Sequence, residues 1–124
     1  ASSLVSPPDG DLTDFMTSCV RLGETRWRVF YPGHGDVVSD PHARLDWLVA
    51  HRRGREAAIL DALAQKPASA PELARAIYTD TPAALLPAAT RNVLAHLIDL
   101  TGKSRVRPLG ALTGDVIFEC RPAP

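Results

Sequence analysis

Leu12, Phe15, Met16, Cys19 and Val20 recur at steps of three and four residues. That spacing predicts an amphipathic helix over about residues 11–22. Asp9 or Asp11 is placed to cap it, and Gly23 ends it. Before it, Ala1 to Gly10 reads as an extended lead-in closed by the turn residues Pro7-Pro8-Asp9-Gly10. After it, Arg26 to Tyr31 predicts a strand, apolar at the consecutive positions Val29, Phe30 and Tyr31. Strands covered on both faces have that pattern. Yet the chain offers this strand few partners. Each buried backbone group left unpaired costs roughly 1–3 kcal/mol, so sheet neighbours from another chain or from outside this one are expected.

Asp40-Pro41 predicts a helix start, with Asp at the N-cap and Pro at the first helical position. Leu45, Leu48, Val49, Arg52, Ile59, Leu60 and Leu63 follow at helical spacing, so the helix runs from Pro41 to Ala64. Gly54 costs about 1 kcal/mol relative to Ala inside a helix. It marks the expected join between a unit of residues 1–52 and a second of residues 53–124. Lys66-Pro67-Ala68 is a turn. Ser69-Ala70-Pro71-Glu72 fits a capping box, and Leu73 and Ile77, with Ala74 and Ala76, form the inner face of a short helix. A stub reaches Leu86, and Pro87 opens the next helix. Val93, Leu94, Leu97, Ile98 and Thr101 are its apolar stripe, and Gly102 is its C-terminal stop. Val106 and Leu109, then Val116-Ile117-Phe118, predict a β-hairpin bracketed by Gly110 and Gly114. Three helices followed by a hairpin make a winged-helix pattern. Arg121 to Pro124 reads as a frayed end.

Composition narrows the classes. Apolar residues are 45% of the 124 positions and charged residues 23%, enough core and too little charge for wholesale disorder. With 14 basic and 14 acidic residues, the formal net charge of zero gives no global case for nucleic acid. No apolar run approaches the roughly 20 residues of a membrane span. Cys19 and Cys120 fit no metal or redox spacing; they read as reduced thiols, and the protein as cytoplasmic.

The candidate chemistry sits where the predicted strand meets Pro32-Gly33-His34-Gly35. Proline and glycine end the strand in a sharp turn and leave His34 free to project. Tyr31-Pro32-Gly33-His34-Gly35-Asp36-Val37-Val38, with Arg44-Leu45-Asp46-Trp47 and His51-Arg52-Arg53, resembles the last motif of the metallo-β-lactamase-fold hydrolases. More narrowly, it resembles the β-lactamase-like branch with a C-terminal winged-helix domain. Glu72-Leu73 through Tyr78 and Val93-Leu94-Ala95-His96-Leu97 continue the resemblance, which runs from Ser6 to about Val106.

The resemblance implies an α+β fold: a helix-strand-helix remnant of the αββα metallo-β-lactamase layer, then the winged-helix-like unit. It implies that His34 is one ligand of a dinuclear zinc site, with Gly33 and Gly35 as substrate-binding positions. The His-x-His-x-Asp-His motif, a further histidine and the bridging aspartate would lie upstream of this chain. The reaction class implied is metal-assisted hydrolysis, in which paired metals lower the pKa of a bound water to about 7. Thioester and RNA substrates both occur in the family. No catalytic residue is expected within this chain, and the chain alone is expected to be inactive. Its partner is the upstream catalytic portion of the same protein, and its winged helix is expected to pack there and shape substrate access.

Other signals change little. His42, His51 and His96 form no His-x-His or His-x-x-x-His pair with one another or with His34, and a catalytic zinc needs about three protein ligands. Gly102-Lys103-Ser104 is not a phosphate loop, because Leu97 stands where the loop's first glycine belongs and the segment follows a helix. Arg52, Arg53, Arg55 and Glu56 read as a solvated face, with a basic rim for an anionic substrate as the functional option. Trp27 and Trp47 read as packing groups. The expected recognition helix, Ala88 to Leu100, carries one basic residue, Arg91, set against Asp99. A winged-helix DNA-binding regulator is the competing reading, disfavoured because duplex-binding proteins neutralise about 6–10 phosphates. A non-enzymatic module docking through a sheet edge is a third.

Overall fold

A computed structural model describes residues 4–122. Ala1 to Ser3, and the last two residues of the end expected to fray, lie outside the described residues. The elements are α1 (Leu12–Gly23), α2 (Pro41–Gln65), β1 (Ala68–Ser69), α3 (Ala70–Ile77), a 3₁₀ turn (Ala83–Leu85), α4 (Leu86–Gly102), β2 (Val106–Pro108) and β3 (Ile117–Cys120).

The helix starts follow their caps. Asp11, rather than Asp9, accepts from the Asp14 backbone N–H at the head of α1. Asp40 accepts from Ala43 N–H, with Pro41 as the first helical residue of α2. At α3 the capping box closes in both directions: Glu72 N–H donates to Ser69 Oγ, and Ser69 N–H to Glu72 Oε1 at 3.1 Å. Gly54 does not interrupt α2, so residues 52 and 53 stand inside one unbroken helix.

The main core lies beneath the second half of α2, α3, α4 and the sheet. Ile59, Leu63, Leu73, Val93, Leu97, Leu100, Val106 and Phe118 meet there. A smaller cluster joins Val5 of the lead-in, Leu12 of α1 and Ala95 of α4. The sheet is antiparallel in the order β1-β3-β2. Phe118 of β3 faces Ala68 on one side and Pro108 on the other, which places its buried ring at the sheet's centre. Backbone bonds from Leu109 to Ile117 and from Arg121 to Arg105 lengthen the hairpin beyond β2 and β3. β1 was absent from the sequence expectation. It is two residues long, and its extended form comes from pairing with β3 rather than from β propensity.

The structure departs from expectation elsewhere too. Arg26 to Tyr31 is not a strand: only Phe30 pairs, exchanging two 2.9 Å backbone bonds with Val38. No further strand lies alongside among the described residues, so the apolar run stays largely open and Tyr31 is 79% exposed. Val20 and Ile98, assigned to buried stripes, are exposed. Arg52, assigned to a solvated face, is buried among α1, α2 and α4. Trp27 and Trp47, read as packing groups, stand at the surface.

At the C-terminus of α4 the stop is not Gly102, which is the last helical residue. Ser104 takes the left-handed conformation instead (φ 59°). Ser104 N–H donates to Thr101 O, and Arg105 N–H to Leu100 O at 2.9 Å, closing a Schellman motif with serine where glycine is usual.

Candidate functional site

His34 lies in the loop that the Phe30–Val38 pair closes. Gly35, beside it, has φ +87°, a conformation that L side chains rarely adopt. Nothing lies within 4 Å of the Cβ position of either Gly33 or Gly35, so both backbones are open to a ligand. His34 itself is exposed.

The loop is anchored at its base. Trp27 backbone N–H donates to His42 Nε2 at 3.3 Å, tying the loop to the first turn of α2. Trp27 Nε1–H donates to Leu22 O at 2.7 Å, tying it to α1. Thus His42 is used as an acceptor within the fold. His51 stacks on Trp47 at 4.9 Å between centroids, and the Arg44 guanidinium lies 4.8 Å from the Trp47 ring centroid. Burial lowers the pKa of His51, and the Arg55 and Arg52 charges lower it further. His96 is buried within α4. The histidines therefore serve separate surroundings. Among the described residues no three His, Cys, Asp or Glu side chains are grouped to hold a metal ion. The described residues do not make up a complete metal site.

A second polar constellation was missed. Asn92, His96, Asp99 and Lys103 step along α4 at intervals of four, three and four, which puts them on one face. Asn92 Oδ1 accepts from Val5 N–H at 3.1 Å and from Arg52 Nη1 at 3.2 Å. Asp99 accepts from the Thr13 hydroxyl of α1 and pairs with Lys103 at 2.8 Å. The Arg52 guanidinium also lies over the Phe15 ring at 5.2 Å. This face joins α4 to α1, α2 and the lead-in. The signal was present as polar helical periodicity, but it was masked by the stronger apolar stripe. Asp99 therefore does not offset Arg91; it is buried and turned to α1.

Residues 69–113 match the model of the beta-lactamase associated winged helix domain. A metallo-beta-lactamase family protein from Thermus thermophilus superposes with a TM-score of 0.73 at 30% identity, over 89% of this chain and 33% of that one. A beta-lactamase domain protein from Burkholderia ambifaria superposes at 0.81 over 97% of this chain and 37% of that one; at 21% identity it speaks for the fold alone. Over most of its length the chain is thus similar to part of metallo-β-lactamase-fold proteins, and residues 69–113 are similar to the winged helix associated with them.

Among curated proteins, the chain is similar to the Beta-lactamase-like protein 2 homolog of Drosophila melanogaster, 32% identical over 100 residues, covering 78% of this chain and 34% of the relative. The corresponding homolog of Caenorhabditis elegans is 32% identical over 84 residues, covering 67% and 28%. The chain thus spans about a third of the length of its relatives.

Proposed function

We propose that this chain is part of a metal-dependent hydrolase of the metallo-β-lactamase superfamily, and that His34 is one ligand of a two-zinc site completed by residues outside the chain. The observation that carries the reading is the exposed His34 on a loop pinned to α1 and α2, beside a glycine of positive φ. Pinning the loop fixes where the imidazole is offered; the open backbones of Gly33 and Gly35 leave room for substrate beside it. The winged-helix part packs on the catalytic part and shapes access to that site. The bond cleaved is a thioester or an RNA phosphodiester. Two free cysteines fit a reducing cytoplasmic setting.

The exposed face of α4 carries one basic residue, Arg91, beside Pro87 and Ile98, which weighs against the DNA-binding alternative. The test has two arms. Zinc titrated into the 124-residue chain should find no tight site. In the longer protein containing this chain, His34→Ala should remove bound metal and at least about a hundredfold of hydrolase activity, since ligand loss disables the metal. Unchanged metal content in that variant would overturn the assignment.

A further inference from the structure

Between α1, α2 and α4 lies a cavity of about 330 Å³, separate from the His34 loop. That is within the usual size range of a small-molecule pocket. The cavity reaches His96, which is 1% exposed and whose Nδ1 and Nε2 both lack a hydrogen-bond partner. A buried imidazole with neither nitrogen satisfied weakens the fold. The neighbouring carboxylate does not serve it: Asp99 is taken up by Thr13 and Lys103.

The cavity's charge is asymmetric. Arg52, Arg53 and Lys103 line it against Glu56 and Asp99, which leaves one excess positive charge around a neutral ring. Thr17 apart, its remaining wall is apolar, with Met16, Val20 and Val49 among the lining residues. Val20 is 57% exposed there, although the period of α1 would bury it.

We propose that this cavity binds a small amphipathic carboxylate, with the anionic head hydrogen-bonded to His96 near the Arg52 charge and a short alkyl or aryl tail along Met16, Val20 and Val49. A neutral imidazole presents one donor and one acceptor, and its donor fits a carboxylate oxygen. One excess charge matches a monoanion, whereas a phosphate dianion would be left under-neutralised. The apolar wall gives a tail a reason to enter that an inorganic anion lacks.

The test is calorimetric titration of the 124-residue chain with hexanoate, hexanol and inorganic phosphate, with the imidazole nitrogen resonances of His96 followed in parallel. Hexanoate should bind one to one, at least tenfold more tightly than either comparison molecule, and shift the His96 resonances. His96→Leu keeps the volume and removes both nitrogens. It should lose at least tenfold in hexanoate affinity while melting at the same or a higher temperature. Val49→Trp, which fills the cavity from α2 and leaves the imidazole in place, should abolish binding, and it carries the test should the first variant fold poorly. Absence of saturable hexanoate binding overturns the proposal. So does equal binding of hexanol or phosphate, or full affinity in Val49→Trp. None of these outcomes bears on His34 and its metal.

Discussion

Asn92 on α4 receives the Arg52 guanidinium of α2 at 3.2 Å, and the same oxygen holds the Val5 backbone N–H at 3.1 Å. One amide oxygen therefore joins the lead-in, α2 and α4. Removing it leaves a peptide N–H without its acceptor and weakens the hold on a buried guanidinium. Unmet groups of that kind cost about 1–3 kcal/mol each. Asn92→Ala should lower stability by about 2 kcal/mol, read as a fall in the urea midpoint at constant m-value. Asn92→Asp keeps an acceptor at that place and adds a charge opposite Arg52, so it should retain most of the stability. Equal losses in both variants would mean that packing, not the shared acceptor, holds the junction.

The end of α4 offers a change in the other direction. Ser104 stands at φ 59°, where a Cβ crowds the following carbonyl. Glycine removes that strain but adds freedom to the unfolded chain. The relief of strain is the larger effect, so Ser104→Gly should stabilise by about 0.5–1 kcal/mol. Ser104→Val adds a β-branch to the same backbone and should destabilise by about 1 kcal/mol or more. Thermal melts of the two variants beside the parent check both signs.

Much of this architecture was readable because the deciding contacts are local. Asp40-Pro41 and Ser69 with Glu72 mark helix starts through groups three residues apart, and the structure closes those bonds. Gly33-His34-Gly35 likewise announced a bend. What escaped was whatever a distant partner decides. Three consecutive apolar residues at 29–31 look like a covered strand, but strand formation needs a neighbour, and only Val38 pairs there. Ala68 looks like the end of a turn and Ser69 like a helix cap alone, yet both are extended because Phe118 and Ile117 lie opposite. Arg52 looks like a solvent residue on an amphipathic helix. Nothing within α2 reveals that Asn92, forty positions on, waits for it. The cavity was illegible for the same reason: it belongs to three helices at once.

His96 should leave a mark on the pH dependence of stability. Its pKa is lowered to about 4, first by burial and then by the Arg52 charge, with Lys103 and His51 acting the same way and Asp99 opposing. In the unfolded chain the ring titrates near its ordinary 6.5. Between those values the unfolded chain holds a proton that the folded chain does not. Stability therefore rises with pH across this window, is complete above about 6.5, and is lost as pH falls toward 4. A shift of this size corresponds to about 3 kcal/mol. Urea unfolding at several pH values should show that fall in the parent, and His96→Leu should flatten it. An unchanged slope in His96→Leu would assign the acid sensitivity to other groups.

The winged-helix outline invites a DNA-binding test, and the packing of α4 argues what it should find. Ala89, Val93, Leu97 and Leu100 of α4 are buried, most of them in the main core. Its polar face is spent on α1, α2 and the lead-in through Asn92 and Asp99. The face left to solvent, where Pro87, Arg91 and Ile98 are exposed, offers a major groove a single basic residue. Near the wing, Lys103 is paired with Asp99 and Arg107 with Glu119, while Arg105 and Arg91 stand as exposed bases in this region. That falls well short of the roughly 6–10 phosphates that duplex binders neutralise. Fluorescence anisotropy with mixed-sequence duplexes should therefore show affinity no tighter than the non-specific range of roughly 10⁻⁴–10⁻⁶ M, with a shallow salt dependence. Tight binding with a steep salt slope would return the regulator reading to the front.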